Sequence, residues 1–485
     1  MQVRMIRIAN FIGGSLQDSL SGTFHVSSPF FEYALDVPNS CLLDAGDAFS
    51  AAKAAQGKCA RLSIDERCQI LQRAAEKFVL SDEERAHLVK MQGAPSRFVE
   101  THAMYSRQQF LDTARAAEQR HGFILGNLGR SVSGHGFELN RPPEGIVAAF
   151  IPPNDPAEAA FVMSHAVMSG ATLVLKPSRA EPYMALKVAG LLTECGYPPG
   201  GISVLHWNTA EESSQGLTQA LLRDSKYHVV MGDYETAHSL LGSVENRNAA
   251  RCVFSAGRSK AIVDEGADLE YVAECLMAAS LNWTNNCVST KSVVVVGNGL
   301  ETLISLLRIK CDAAVVDNPL HSDTTIGYVD PKLLDKVEEA VRGQTEFGYA
   351  EFRNEFVRKS RVQMRPLLVQ LPHPDVESPF VSHELPYVLT VMAVPTFDDA
   401  VRFVNEAGTA LPEKKSMAVS LYAPSPSLEG FVKQNAEKAK SVIGLNAGML
   451  FYNTPSTALS PYLRHQGIDL TGFLCSPFTI VEPKT

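Results

Sequence analysis

From about residue 145 onward the chain sets short, wholly apolar runs between longer amphipathic ones. GIVAAFI, ATLVLKP, GISVLHW and YHVVMG lack polar alternation and are too short for helices, which predicts strands buried on both faces. Between them, PAEAAFVMSHAVMSG and AEPYMALKVAGLLTECG repeat apolar positions three and four apart, and the first closes on a glycine suited to a helix C-cap. A further helix begins at DYETAHSLL. Strands separated by helices of this length imply right-handed crossovers and a parallel sheet covered on both faces. Ligands in such sheets sit at the carboxyl ends of the strands.

The pattern resumes after FSAGRSKAIVDEGADLE, with SVVVV, AAVVD, LLVQL, YVLTVMAV and SMAVSLYA read as strands of a second α/β unit. Upstream, LSIDERCQILQRAAEKFVLSDEERAHLVKM has helical periodicity, and the Gly/Pro-rich GNLGRSVSGHGFELNRPPEG reads as a hairpin. There is no internal repeat, low-complexity tract or long charge block.

Composition narrows the function classes. A formal charge of −9 argues against a general nucleic-acid binder, while leaving room for a local cationic pocket around a phosphorylated cofactor. No apolar run approaches the ~20 residues of a membrane helix, and MQVRMIRIANFIGG lacks an A-x-A-like cleavage pattern. The nine cysteines show no C-x-x-C spacing, which points to free thiols in a reducing, cytoplasmic setting and away from zinc or a disulfide framework.

Four places could carry chemistry. Cys287, in LNWTNNCVSTKSVVVV, is either a small apolar plug beside a valine strand or a nucleophile presented by a polar turn. Asn154, in IPPNDPAEAA, either caps the following helix or offers its amide to a developing oxyanion. Lys176 and Ser178, in LVLKPSRAEP, are either solvated or placed to hold sugar hydroxyls and phosphate. Gly232 ends a strand where a phosphate can face the next helix, although no G-x-G-x-x-G accompanies it. SHEL is not H-E-x-x-H and invites no metal. Phe451 and Tyr452 read equally as core or pocket.

In this order the segments PPNDP, LVLKPS, VVMGDYETA, SAGRSKAIVDEGADLE, NWTNNC and SHELPYVLTV resemble the aldehyde dehydrogenase superfamily, over nearly the whole chain. The resemblance implies an α/β fold with a Rossmann-type cofactor domain over 1–253, including an oligomerisation hairpin near 120–142. A second α/β catalytic domain would cover 254–445 and carry Cys287, and 446–485 would form a C-terminal return that helps subunits pair as a homodimer or homotetramer. Cys287 matches the nucleophile and Asn154 the oxyanion-hole amide. Lys176, Ser178, Gly232, Gly257 and Glu384 match positions that hold NAD or NADP. Arg179 replaces a glutamate common in NAD-preferring relatives, and either suits a 2′-phosphate and tolerance of NADPH or is a surface arginine extending into solvent. Asp233 stands where hydrolytic members usually place a small hydroxyl residue, and a carboxylate there opposes phosphate.

Hydrolytic members carry a glutamate base in an E-L-G-G-K segment. Here FSAGRSK puts Phe254 or Ser255 in its place, and no carboxylate occurs from Arg251 to Val263. The motifs are closest to CoA-acylating aldehyde dehydrogenases, acyl-thioester reductases whose C-A-S-E-Q-S-V-V-V and N-T-P-S-S resemble CVSTKSVVVV and NTPST. The expected partner is therefore a small aldehyde or acyl thioester, with coenzyme A or an acyl carrier as the thiol. Arg258, Lys260 and Lys291 flank the motif loops, either with at least two of them simply facing solvent or as candidates to lower the thiol pKa or meet a CoA phosphate. Two other readings stay open: a non-acylating enzyme whose water is activated by Glu265 or Glu384, and a catalytically degenerate binding protein of the same fold.

Overall fold

A computed structural model describes the chain except residues 1–5, 120–123, 131–133, 212, 233, 243–247, 256–257, 282–287, 348–349, 410–415, 446, 456–468 and 484–485. Cys287, Asp233 and Gly257 thus lie outside the described residues.

The apolar runs build two seven-stranded sheets. In the first, the order is Ala250–Ser255, Tyr227–Gly232, Ile146–Ile151, Thr172–Pro177, Ile202–Val204, Asn10–Ile12 and Ser15–Gln17. The first five are mutually parallel and the last two antiparallel. Ile146–Ile151 and Thr172–Pro177 are buried along their whole length, so neither face needed polar alternation. The second sheet runs Glu351–Phe352, Leu367–Gln370, Val388–Val394, Thr290–Val296, Ser259–Val263, Ser416–Tyr422 and Ala447–Tyr452, all parallel except the first. A third, antiparallel sheet joins Ile124–Arg130 to Gly134–Arg141 and that strand to the C-terminal Ser476–Pro483. This is an α/β architecture with a Rossmann-like unit and a second α/β unit.

AAVVD departs from its expectation. Around it the chain makes only an isolated bridge, Val316 to Ile326, and Val315 is largely exposed. Two valines without a continuous partner gain too little burial to hold a strand.

The helices start and stop where side chains dictate. Ser63 with Glu66, and Ser81 with Glu84, form capping boxes that open Ile64–Lys77 and Asp82–Gln92. Gly170 ends Glu158–Ser169 at φ 70°, where a Cβ would meet the buried Arg67 guanidinium at 2.5 Å. That guanidinium donates to Met168 O and Ala60 O, both at 3.0 Å, and so fastens three helix ends under the sheet. No helix among the described residues is long and apolar enough to cross a membrane.

Candidate functional site

Strand order locates a crevice. From the central Ile146–Ile151 the chain adds strands outward on one side, then returns to add Tyr227–Gly232 and Ala250–Ser255 on the other. The carboxyl ends of Ile146–Ile151 and Tyr227–Gly232 therefore flank the switch point at which such sheets bind ligands. Asn154 follows the first of these strands, and Gly232 ends the second with open space where a Cβ would stand.

Lys176 belongs to the same edge, paired with Phe150. Its side chain is buried, and its Nζ lies 5.5 Å from the Trp207 ring centroid. Burial, with help from Arg179, pushes the ammonium down to about 8. Among the described residues it has no hydrogen-bond acceptor, so a hydroxyl-rich or phosphorylated ligand would satisfy it. Ser178 Oγ instead accepts from Ala180 N at 3.2 Å and shapes the turn. Arg179 is exposed and donates to Asn208 Oδ1 at 3.1 Å.

The Asn154 loop is held from outside. Gln92 Nε2 donates to Pro153 O at 2.9 Å. His102, on the Ser96–Gln119 helix, donates through Nδ1 to Asp155 Oδ1 at 2.7 Å, with the Phe98 ring stacked 3.8 Å from its imidazole. Asp155 Oδ1 also accepts from Ala157 N at 2.8 Å. Asp155 thus serves the helix start, the role open to Asn154 on sequence alone. The Asn154 amide, half-buried, has no hydrogen-bond partner among the described residues.

The second sheet presents its opposite edge. Only three residues separate Ser255, at the carboxyl end of a first-sheet strand, from Ser259, at the amino end of a second-sheet strand. Thr290–Val296 begins on that amino edge, preceded by Val288, which packs with Ala418, Met449 and Phe451. Phe451 is therefore core, and Tyr452 donates its hydroxyl to Ser425 O at 2.8 Å. Just upstream the chain passes through a π-helical turn, Met277–Leu281, a distortion that recurs at functional sites.

Three cations and one carboxylate meet on this edge. Lys260, buried, donates to Arg258 O at 2.9 Å, and burial with Arg258 pushes its ammonium down to about 7. Lys291, also buried, is pushed down to about 8 by burial, which Glu384 partly offsets. Glu384 is exposed and interacts with Arg258 as well.

A chain of contacts links this edge to the Asn154 loop. Gly93, beside Gln92, accepts from Tyr328 N at 2.7 Å, and Gly327 N donates to the Tyr387 hydroxyl at 2.9 Å, three residues past Glu384. Gly93 has φ +71°, and a Cβ there would lie 2.9 Å from Tyr328 Cβ. Gly93→Ala is therefore expected to cost about 3 kcal/mol, from left-handed strain plus overpacking, and to lower Tm by several degrees in a thermal melt. An unchanged Tm would mean that this junction is slack.

Phe254 is buried, opposite Met231 in the first sheet, and its ring meets Phe161 edge-on at 5.8 Å between centroids. Glu265 lies at the opposite end of Thr290–Val296 from Val288. Its carboxyl lies 3.4 Å from where a Cβ on Gly297 would stand, past the far end of Thr290–Val296, about 20 Å of strand from Val288. Sequence reasoning also missed Gln92, His102 and Asp155, which support the Asn154 loop through contacts between helices and loops.

Comparison with known proteins agrees with this geometry. Residues 17–414 match the family model described as "Aldehyde dehydrogenase family". The chain is 26% identical to malonate-semialdehyde dehydrogenase of Halalkalibacterium halodurans over 83% of each chain. It is 27% identical to 3-sulfolactaldehyde dehydrogenase of Priestia aryabhattai, over 69% of this chain and 62% of that one. Among solved structures, NAD-dependent aldehyde dehydrogenase from Sinorhizobium meliloti superposes with a TM-score of 0.83 at 20% identity, covering 99% of this chain and 96% of that one. NADP-dependent glyceraldehyde-3-phosphate dehydrogenase from Bacillus halodurans, complexed with NADP, gives 0.81 at 18% identity, covering 99% and 100%.

Proposed function

Because the chain belongs to the aldehyde dehydrogenase family, we propose that it interconverts an aldehyde and an acyl thioester, with coenzyme A or an acyl carrier as the thiol. Cys287 attacks the aldehyde carbon, and the Asn154 amide donates to the oxygen as charge collects on it. When bound, NAD or NADP supplies the two-electron oxidation that leaves a thioester on Cys287. Lys176, Ser178 and Gly232 line the carboxyl edge that would hold the dinucleotide, Gly257 and Asp233 its neighbouring loops, and Glu384 the nicotinamide ribose. Arg179, exposed beside Asn208, offers its guanidinium to a 2′-phosphate, so NADPH is accepted as well as NADH.

The observation that carries the choice of a thiol over water is Phe254. Phe254 or Ser255 stands where hydrolytic members keep their base, and the Phe254 ring is buried and packed on Phe161. Water at an acyl-enzyme needs a general base, typically worth about 10²–10⁴-fold, whereas a thiol loses its proton far more readily. We assign residues 1–253 to cofactor binding, 254–445 to catalysis and 446–485 to the C-terminal return, with the three-stranded sheet pairing subunits into a homodimer or homotetramer.

The test is product analysis with a panel of aldehydes, malonate and succinate semialdehyde included, and NAD⁺ or NADP⁺, with and without coenzyme A. Acyl-CoA should form, and turnover should depend on the thiol. Free acid formed at the same rate without thiol would overturn the proposal.

A further inference from the structure

Asn154 sits in a loop with few free torsions. In the run Pro152, Pro153, Asn154, Asp155, Pro156, three residues have φ set by their rings, and Pro156 keeps Asp155 out of the helical region. Redirecting the Asn154 side chain therefore requires the peptide planes on either side of it to turn. Both sides are tied to helices outside the sheet. On the amino side, Gln92, at the end of Asp82–Gln92, donates to Pro153 O at 2.9 Å. On the carboxyl side, His102, on Ser96–Gln119, donates through Nδ1 to Asp155 Oδ1 at 2.7 Å.

The second tie is rigid. The His102 and Asp155 side chains are only 8% and 13% exposed, so water competes little for their bond. The imidazole is fixed by its own helix. Phe98, one turn earlier, stacks on it at 3.8 Å between centroids, and Tyr105, one turn later, stands edge-on at 5.0 Å. A buried hydroxyl pair, Thr113 with Ser164 at 3.1 Å, joins that helix to Glu158–Ser169, the one the loop leads into. Asp155 Oδ1 meets the helix start separately, accepting from Ala157 N at 2.8 Å. Opening the helix needs only that bond. The bond to His102 does something else: it fixes the carboxylate, and with it the peptide shared with Asn154.

We propose that His102 is a positioning residue, which through Asp155 sets the direction in which Asn154 presents its amide. The proposal rests on the oxyanion role given to Asn154 above. Such a donor acts only where it meets the oxygen at hydrogen-bond distance in the tetrahedral state, and a displacement of about 1 Å can cost about 10²-fold in rate. Without His102, Asp155 keeps its bond to Ala157 N but swings about it, and Asn154 moves with the peptide they share. The helix start and aldehyde binding survive, and the rate does not.

The experiment compares wild type with His102→Leu, His102→Asn, His102→Gln, Asn154→Ala and the double variant His102→Leu/Asn154→Ala. Each is mixed rapidly with NADP⁺ and the fastest aldehyde of a C2–C8 panel, without thiol, so that early NADPH formation reads the first turnover. Titration with NADPH, followed by fluorescence, counts the folded sites. His102→Leu should lower the maximal rate per site by about 10–10²-fold, with the half-saturating aldehyde concentration within about threefold of wild type. Asparagine can place an N–H where Nδ1 stood and should recover to within about fivefold, whereas glutamine reaches only the Nε2 position and should stay slow. An imidazole that merely filled space would give the opposite order, since glutamine is the larger. On Asn154→Ala, adding His102→Leu should cost less than about threefold more, because a donor already removed cannot be misdirected. A His102→Leu rate within threefold of wild type, a glutamine variant as fast as asparagine, or fully multiplied losses in the double variant would overturn the proposal. Asn154→Ala at the wild-type rate would instead strike the oxyanion role itself, so the two failures are distinguishable.

Discussion

Cys287→Ser should abolish turnover of every aldehyde and acyl thioester, by about 10³-fold or more in kcat, while NADPH binding measured by fluorescence stays close to wild type. A hydroxyl is a poor nucleophile at neutral pH and a poor leaving group in the reverse direction. The cations Arg258, Lys260 and Lys291, on the edge where the Cys287 segment enters its strand, favour a thiolate and do little for a far weaker acid. The other eight cysteines offer no substitute. Seven are buried, and burial pushes the thiols of Cys252, Cys311 and Cys475 up to about 12. Cys41 is half-buried at the start of the Leu42–Arg61 helix, on the Asp44 side chain to which its backbone N–H donates at 2.8 Å. Activity within tenfold of wild type in the serine variant would place the chemistry elsewhere.

Asn154→Ala is the second large effect. Removing one oxyanion donor should lower kcat by about 10²–10³-fold and leave KM within a few-fold, since the charge it meets arises only as the carbon becomes tetrahedral. Stability should barely move. Among the described residues the amide has no partner to lose, and Gln92, His102 and Asp155 keep the loop in place. A role in capping the helix would give the opposite split, with activity kept and about 1 kcal/mol of stability lost. Steady-state kinetics and a thermal melt on one preparation separate the two.

The sheets were legible because their strands are buried on both faces, so GIVAAFI and SVVVV could be read without knowing their partners. AAVVD shows the limit of that reading, since an apolar pair becomes a strand only where a neighbouring edge accepts its backbone. Lys176 and Gly232 were visible as strand-end residues, and the switch point explains why they and Asn154 share one edge. The support of that edge was not visible. His102 reaches Asp155 across 53 residues, and Gln92 reaches Pro153 across 61, contacts that depend on how helices pack. Glu265 illustrates the converse: it is near the motifs in sequence, but strand direction carries it to the far edge.

The central claim is that an acyl group rests on Cys287 until a thiol removes it. Mixing the enzyme with an aldehyde and NADP⁺ without thiol, quenching in acid and weighing the peptide that contains residue 287 tests this directly. The account predicts a peptide heavier by one acyl group, close to one per subunit, which disappears when coenzyme A is added before the quench. An unmodified peptide from an enzyme that is steadily making free acid would contradict it.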